Sequence, residues 1–189
     1  MNTTPTPRRQ AGFTMLELMV VVFIVGLLAA IGTPTFKYVT ASNRIASEIN
    51  GLLGDLQFAR SEAVKEGELV TVCISNATHT GCLTSAGGAW QNGWIVFLDP
   101  NGNKAVDSGE AILRIQPAFT STDTFLVTPT TFNAVTFNRM GYGPTGQAAT
   151  INIQLHSTPV NNSWTRCLAI NPVGNALTQK YGAGTPACS

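Results

Sequence analysis

Gly12-Phe13-Thr14-Met15-Leu16-Glu17 opens an apolar run that continues from Leu18 to Ile31. The nineteen residues from Phe13 to Ile31 carry one charge, Glu17, and Arg8 and Arg9 stand just upstream. A bilayer core about 30 Å thick needs roughly 20 apolar residues in a helix, so this run is long enough to span one. An unpaired carboxylate inside such a span costs about 2.5–3.5 kcal/mol on insertion scales, and intramembrane acids are usually functional. A secretory signal peptide is cut after its apolar region. Here the Gly-Phe step precedes the apolar region, so cleavage at that step would leave the helix in the mature chain.

The segment Gly12-Phe13-Thr14-x-x-Glu17, with its basic leader and apolar run, resembles the class III signal of type IV pilins and type II secretion pseudopilins. The resemblance implies removal of residues 1–12 by a prepilin peptidase and N-methylation of Phe13. Cleavage would free an α-amine four residues before Glu17. Residues i and i+4 share a helix face, so Glu17 can pair with its own amine or with that of a neighbouring subunit. In apolar surroundings either pairing is favoured over an unpaired carboxylate. The resemblance implies the second, with Glu17 setting register during assembly among other pilins.

Helical character continues beyond the apolar run. Pro34 removes a helix hydrogen bond and is expected to kink the chain. Ile45, Ile49, Leu52, Leu53, Leu56, Ala59, Ala63 and Val64 then recur at intervals of three and four, the mark of an amphipathic helix. Gly67 is the expected stop. The stretch Leu56-Gln57-Phe58-Ala59-Arg60-Ser61-Glu62-Ala63-Val64 resembles the signature of the GspH/FimT branch of pseudopilins and minor pilins. Arg60 and Glu62, two residues apart, do not face each other and read as a solvated charged face.

From Leu69 onward the helical period gives way to short runs that read as strands. These are Leu69–Ile74, Trp94–Leu98, Ala111–Ile115, Thr124–Val127, Ala134–Phe137, Ile151–Leu155 and Arg166–Ile170. One long helix followed by several short strands indicates an α+β fold, with the helix packed on an antiparallel sheet domain. This arrangement is type IV pilin-like. The expected organisation is a leader at 1–12, a transmembrane half-helix at 13–33, an amphipathic half-helix at 34–67 and a periplasmic β-rich domain at 68–189. Arg8 and Arg9 place the N-terminus on the cytoplasmic side of the inner membrane.

That topology puts Cys73, Cys82, Cys167 and Cys188 where disulfides persist. Four cysteines allow three pairings, and sequence proximity favours Cys73 with Cys82 and Cys167 with Cys188. Their spacings are not those of zinc sites.

Asp99, Asn101, Asn103, Asp107 and Glu110 fall at positions 1, 3, 5, 9 and 12 of a calcium-loop register. Lys104 occupies the sixth position, where that loop needs glycine, and the flanks read as strands. The competing reading is a polar turn. Gly141-Tyr142-Gly143-Pro144-Thr145-Gly146 matches a dinucleotide fingerprint only in letters, since no helix follows it. His79 and His156, the only histidines, have no nucleophile or acid beside them in sequence. No enzyme is expected.

Charge separates two remaining functions. Without Arg8 and Arg9 the chain has nine basic and ten acidic residues, which gives no global pull toward nucleic acid. After Asp123 there is no acid, while Arg139, Arg166 and Lys180 remain. The resemblance implies either a structural subunit of a pilus or secretion pseudopilus, or DNA capture of the FimT type. DNA capture is associated in the family with Gly-Arg-x-Arg. The counterpart here, Gly174-Asn175-Ala176-Leu177, lacks both arginines, leaving only Arg139, Arg166 and Lys180 to meet phosphates.

Overall fold

The computed structural model describes residues 12–85, 87–143, 150–184 and 188, with the side chains of 32–35 also outside the description. The leader, including Arg8 and Arg9, therefore lies outside the described residues, as do Pro144 to Gly146.

One helix, α1 (Met15–Glu66), carries the first third of the chain. Thr14 caps it: its hydroxyl oxygen accepts the Glu17 N–H at 3.2 Å and its carbonyl accepts the Leu18 N–H at 3.1 Å. Thr14-x-x-Glu17 is thus the spacing of a capping box, with an acid in the positively polarised first turn. The helix runs through Pro34; any bend there involves side chains outside the description. It ends at Glu66, followed by Gly67 at φ 74°, whose N–H reaches the Ala63 carbonyl at 3.1 Å. Glycine tolerates that left-handed conformation without a Cβ penalty.

The chain forms two compact units, Met1–Thr40 and Ala41–Ser189, so the globular unit begins inside the helix rather than after it. In the first unit every described side chain from Phe13 to Ile31 is exposed, Leu16 by 74%. A helix that is apolar all round and buries nothing against its own chain has the character of a membrane span.

In the second unit Ile45, Ile49, Leu52, Leu56, Ala59 and Ala63 are buried to 1% exposure or less. Their alternating spacing of four and three keeps them on one stripe. That stripe covers two four-stranded antiparallel sheets. The first has the order β3-β2-β1-β5, from β1 (Val70–Ile74), β2 (Trp94–Leu98), β3 (Ile112–Gln116) and β5 (Ala134–Phe137). The second has the order β4-β6-β7-β8, from β4 (Thr124–Thr128), β6 (Ile151–His156), β7 (Arg166–Ile170) and β8 (Ala176–Lys180).

Alternate residues of both sheets meet the helix in one core: Val70, Val72 and Ile74 from β1, Ile151, Ile153 and Leu155 from β6. The opposite face of β1 and β2 is covered too. There Cys73, Ile95 and Phe97 form a smaller cluster under Val106 and Ile112. Seven strands coincide with the sequence expectation to within two residues at either end. β8 was not expected: it is an edge strand and only its Ala176 packs on the core.

Candidate functional site

Two surfaces of this chain bear on function: the exposed N-terminal segment and the seam where the helix is fastened to the sheets. At the first, Phe13 is 79% exposed and Glu17 lies in the open first turn. A Cβ built on Gly12 would meet nothing within 4 Å. The chain's own packing therefore does not require glycine at position 12.

The seam is polar at several points. Near its start Arg44 forks onto Asp123, Nε to Oδ2 at 2.6 Å and Nη2 to Oδ1 at 2.9 Å. The Asp123 side chain is fully buried, and it also accepts the Thr158 N–H at 3.3 Å. One turn on, Glu48 Oε1 accepts the Ser121 hydroxyl at 2.9 Å, while Oε2 is buried on the side of Asp123. Burial raises the Glu48 pKa above the ordinary carboxylate value, with the charge of Asp123 adding to the rise. The Ser121 bond and Arg44 oppose it.

In the middle of the seam Asp55 takes the Trp94 Nε1–H at 2.8 Å and the Arg114 Nη1–H at 2.9 Å. The Arg114 guanidinium lies over the Phe58 ring at 3.6 Å, a cation–π contact. Further along, Arg60 Nη1 donates to Asn175 Oδ1 at 2.9 Å. This corrects the expectation of a wholly solvated charged face. Glu62 does pair locally, with Lys65, but Arg60 reaches across to the loop before β8. That loop is tightly packed: a Cβ on Gly174, at φ 82°, would lie 2.3 Å from the Gly141 carbonyl oxygen. Asn138 receives the Gly141 N–H at 2.8 Å, so Gly141–Gly143 is a turn held against Gly174.

Cys73 and Cys82 are bridged, as are Cys167 and Cys188, each pair with Cα atoms 5.6 Å apart. The first bridge closes the loop holding His79, whose Nδ1 lies 2.9 Å from Ser75 Oγ. His156 ends β6, is largely buried, and its pKa is lowered by that burial.

The loop from Asp99 to Glu110 turns its oxygens inward. Asp99 accepts the Thr71 hydroxyl at 2.6 Å and the N–H groups of Asn103 and Lys104 at 3.1 Å each. Asp107 Oδ2 accepts the side-chain amides of Asn101 and Asn103, and Glu110 caps the Asp107 N–H. Lys104 sits at φ 62° where a calcium loop carries glycine. Among the described residues no three His, Cys, Asp or Glu side chains converge to hold a metal. The loop's side-chain oxygens are engaged in hydrogen bonds within the turn and to Thr71.

The three C-terminal cations do not form one site. Arg166 and Lys180 are cross-strand partners beside Ala46, Ile49 and Asn50 of α1. Arg139 stands beside Gly67 and Glu68, past the other end of the packed stripe. From Ile49 to Gly67 the helix rise alone is about 27 Å.

The family model described as type II transport protein GspH matches residues 48–174, and the model for the prokaryotic N-terminal methylation motif matches residues 7–33. The chain is similar to a type IV major fimbrial protein FimA of Dichelobacter nodosus, 32% identical over 60% of this chain and 66% of that one. It is similar to a fimbrial protein of Pseudomonas aeruginosa, 37% identical over 38% of this chain and 44% of that one. The chain thus spans two-thirds or less of these curated relatives. Among solved structures, the type IV minor pilin FimU of Pseudomonas aeruginosa superposes with a TM-score of 0.57 at 19% identity, covering 78% of this chain and 96% of that one. That likeness concerns the fold.

Proposed function

The chain belongs to the GspH family of type II transport proteins, and from that premise we propose that it is a minor pilin or pseudopilin, a structural subunit that joins and helps initiate a type IV pilus or type II secretion pseudopilus. The observation that carries this reading is the division of α1. Its first half buries none of its apolar surface against its own chain, whereas its second half is fastened along two sheets. Apolar surface left uncovered by its own chain calls for another apolar environment. A bilayer supplies that before assembly, and the packed helices of neighbouring subunits supply it afterwards.

On this reading the chain begins as a single-pass inner-membrane protein with its β-domain in the periplasm. Prepilin peptidase cuts between Gly12 and Phe13, and Phe13 is methylated. Gly12 has no packing reason to be glycine in the folded chain, which agrees with its being read by the peptidase. Glu17 then meets the freed amine of a neighbouring subunit. The role is structural, and no residue is assigned to catalysis.

Incorporation of Glu17→Ala into sheared filaments from the native host tests the reading. Loss of the variant from filaments, with membrane levels unchanged, is the expected result. Undiminished incorporation would refute the role given to Glu17.

A further inference from the structure

Arg166 and Lys180 stand directly opposite each other on β7 and β8. Direct cross-strand neighbours project from the same face, and like charges so placed are destabilising unless something compensates them. Both share the parity of Leu168, a core residue, so they lie on the helix-facing side of the sheet at its end. Arg166 Nη1 is anchored by the carbonyls of Ser163 and Thr165 at 3.0 and 2.9 Å, which hold its head in place without neutralising it. Among the described residues neither cation makes a salt bridge. Between them and α1 runs a groove of about 190 Å³ with Ala46 and Ile49 on its floor and Asn50 and Thr178 at its rim.

Among the described residues no carboxylate is placed to serve the pair. There is no acidic side chain after Asp123, and Asp123 is taken by Arg44. Glu48 lies two residues from both Ala46 and Asn50, hence on another side of the helix, where it meets Ser121. The groove therefore offers one anchored cation, Arg166, an exposed second one, Lys180, two amides and a hydroxyl beside an apolar floor.

We infer that this groove receives an acidic segment of a neighbouring filament subunit, with Arg166 and Lys180 as its two counter-charges. The inference rests on the filament reading above and adds the chemistry of one contact. A polynucleotide fits less well. Phosphate binding gains affinity by adding cations along the strand, and the remaining C-terminal cation, Arg139, is about 27 Å away by helix rise. A small anion would leave the apolar floor unused.

The test uses the full-length chain in detergent micelles at low salt, with fluorescein-labelled hexaglutamate read by anisotropy. Saturable binding is expected, weakened at least tenfold by Arg166→Gln with Lys180→Gln and less than twofold by Arg139→Gln. Lys180→Gln alone, at an exposed position, should weaken it severalfold, which covers the case of a double variant that does not fold. In the native host, Arg166→Glu with Lys180→Glu should lower recovery in sheared filaments at least tenfold while the N-terminus is still processed. Failure of the filament reading itself would be distinct, because the unaltered chain would then be missing from filaments. Binding unaffected by the variants, displacement by inorganic phosphate at equal charge, or tighter binding of a labelled oligothymidine would each overturn the inference.

Discussion

Arg44 and Asp123, 79 residues apart in sequence, form a two-pronged ion pair that ties the helix to the loop leading into β4. The Asp123 side chain is fully buried while the Arg44 side chain keeps 40% of its surface in solvent. Breaking a buried pair from one side strands the other charge, which costs about 3–5 kcal/mol when both are buried. Because Arg44 is part-exposed and the Thr158 N–H still reaches Asp123, Arg44→Met is expected to cost about 2 kcal/mol. Chemical unfolding followed by tryptophan fluorescence measures this. A loss below about 0.5 kcal/mol, the scale of exposed ion pairs in general, would contradict it.

Glu48 gives the seam a pH dependence. Its folded-state pKa is raised, chiefly by burial, above the ordinary value of 4.5. The folded state therefore holds that proton more tightly than the unfolded state does. The associated stability is fully present below the ordinary value and is lost as pH rises through the raised one. Unfolding of wild type and Glu48→Gln compared from pH 4 to 8 isolates the effect. The wild type should lose stability relative to the variant across that interval, and parallel curves would contradict the assignment.

Asp55 satisfies Trp94 and Arg114 together, so Asp55→Ala should cost more than a surface change. The Trp94 indole N–H would be left without a partner in a buried position, at about 1–3 kcal/mol. Denaturant unfolding gives the cost, and red-shifted tryptophan emission should accompany it. A neutral result would mean that the bond adds nothing at this point of the seam.

The loop from Asp99 to Glu110 should hold its shape without an ion. Its carboxylates are engaged by amide and hydroxyl hydrogens, and Lys104 brings a cation into the turn. Calorimetric titration with millimolar Ca²⁺ is expected to give no saturable heat. Stoichiometric binding would restore the calcium register.

Much of this was legible in the sequence. The four-three spacing from Ile45 to Ala63 marks the buried stripe because helical period and burial period coincide there. β8 was not legible: Ala176-Leu177-Thr178-Gln179-Lys180 has no β-branched run, and as an edge strand it packs little. The division of the strands into two sheets was hidden for another reason. It depends on which strands pair, and pairing partners such as β1 and β5 lie more than sixty residues apart. Arg60 read as a surface charge because its partner, Asn175, is 115 residues away. The two disulfides were favoured by proximity alone, and the motif around Phe13 is local, so both could be read without the fold.

The central claim is that the apolar helix is retained after cleavage and serves as the assembly element. Mass spectrometry of the N-terminal peptide, from chain purified out of native filaments, tests it most directly. The account predicts a peptide beginning at N-methylated Phe13. A chain that still begins at Met1 would contradict it.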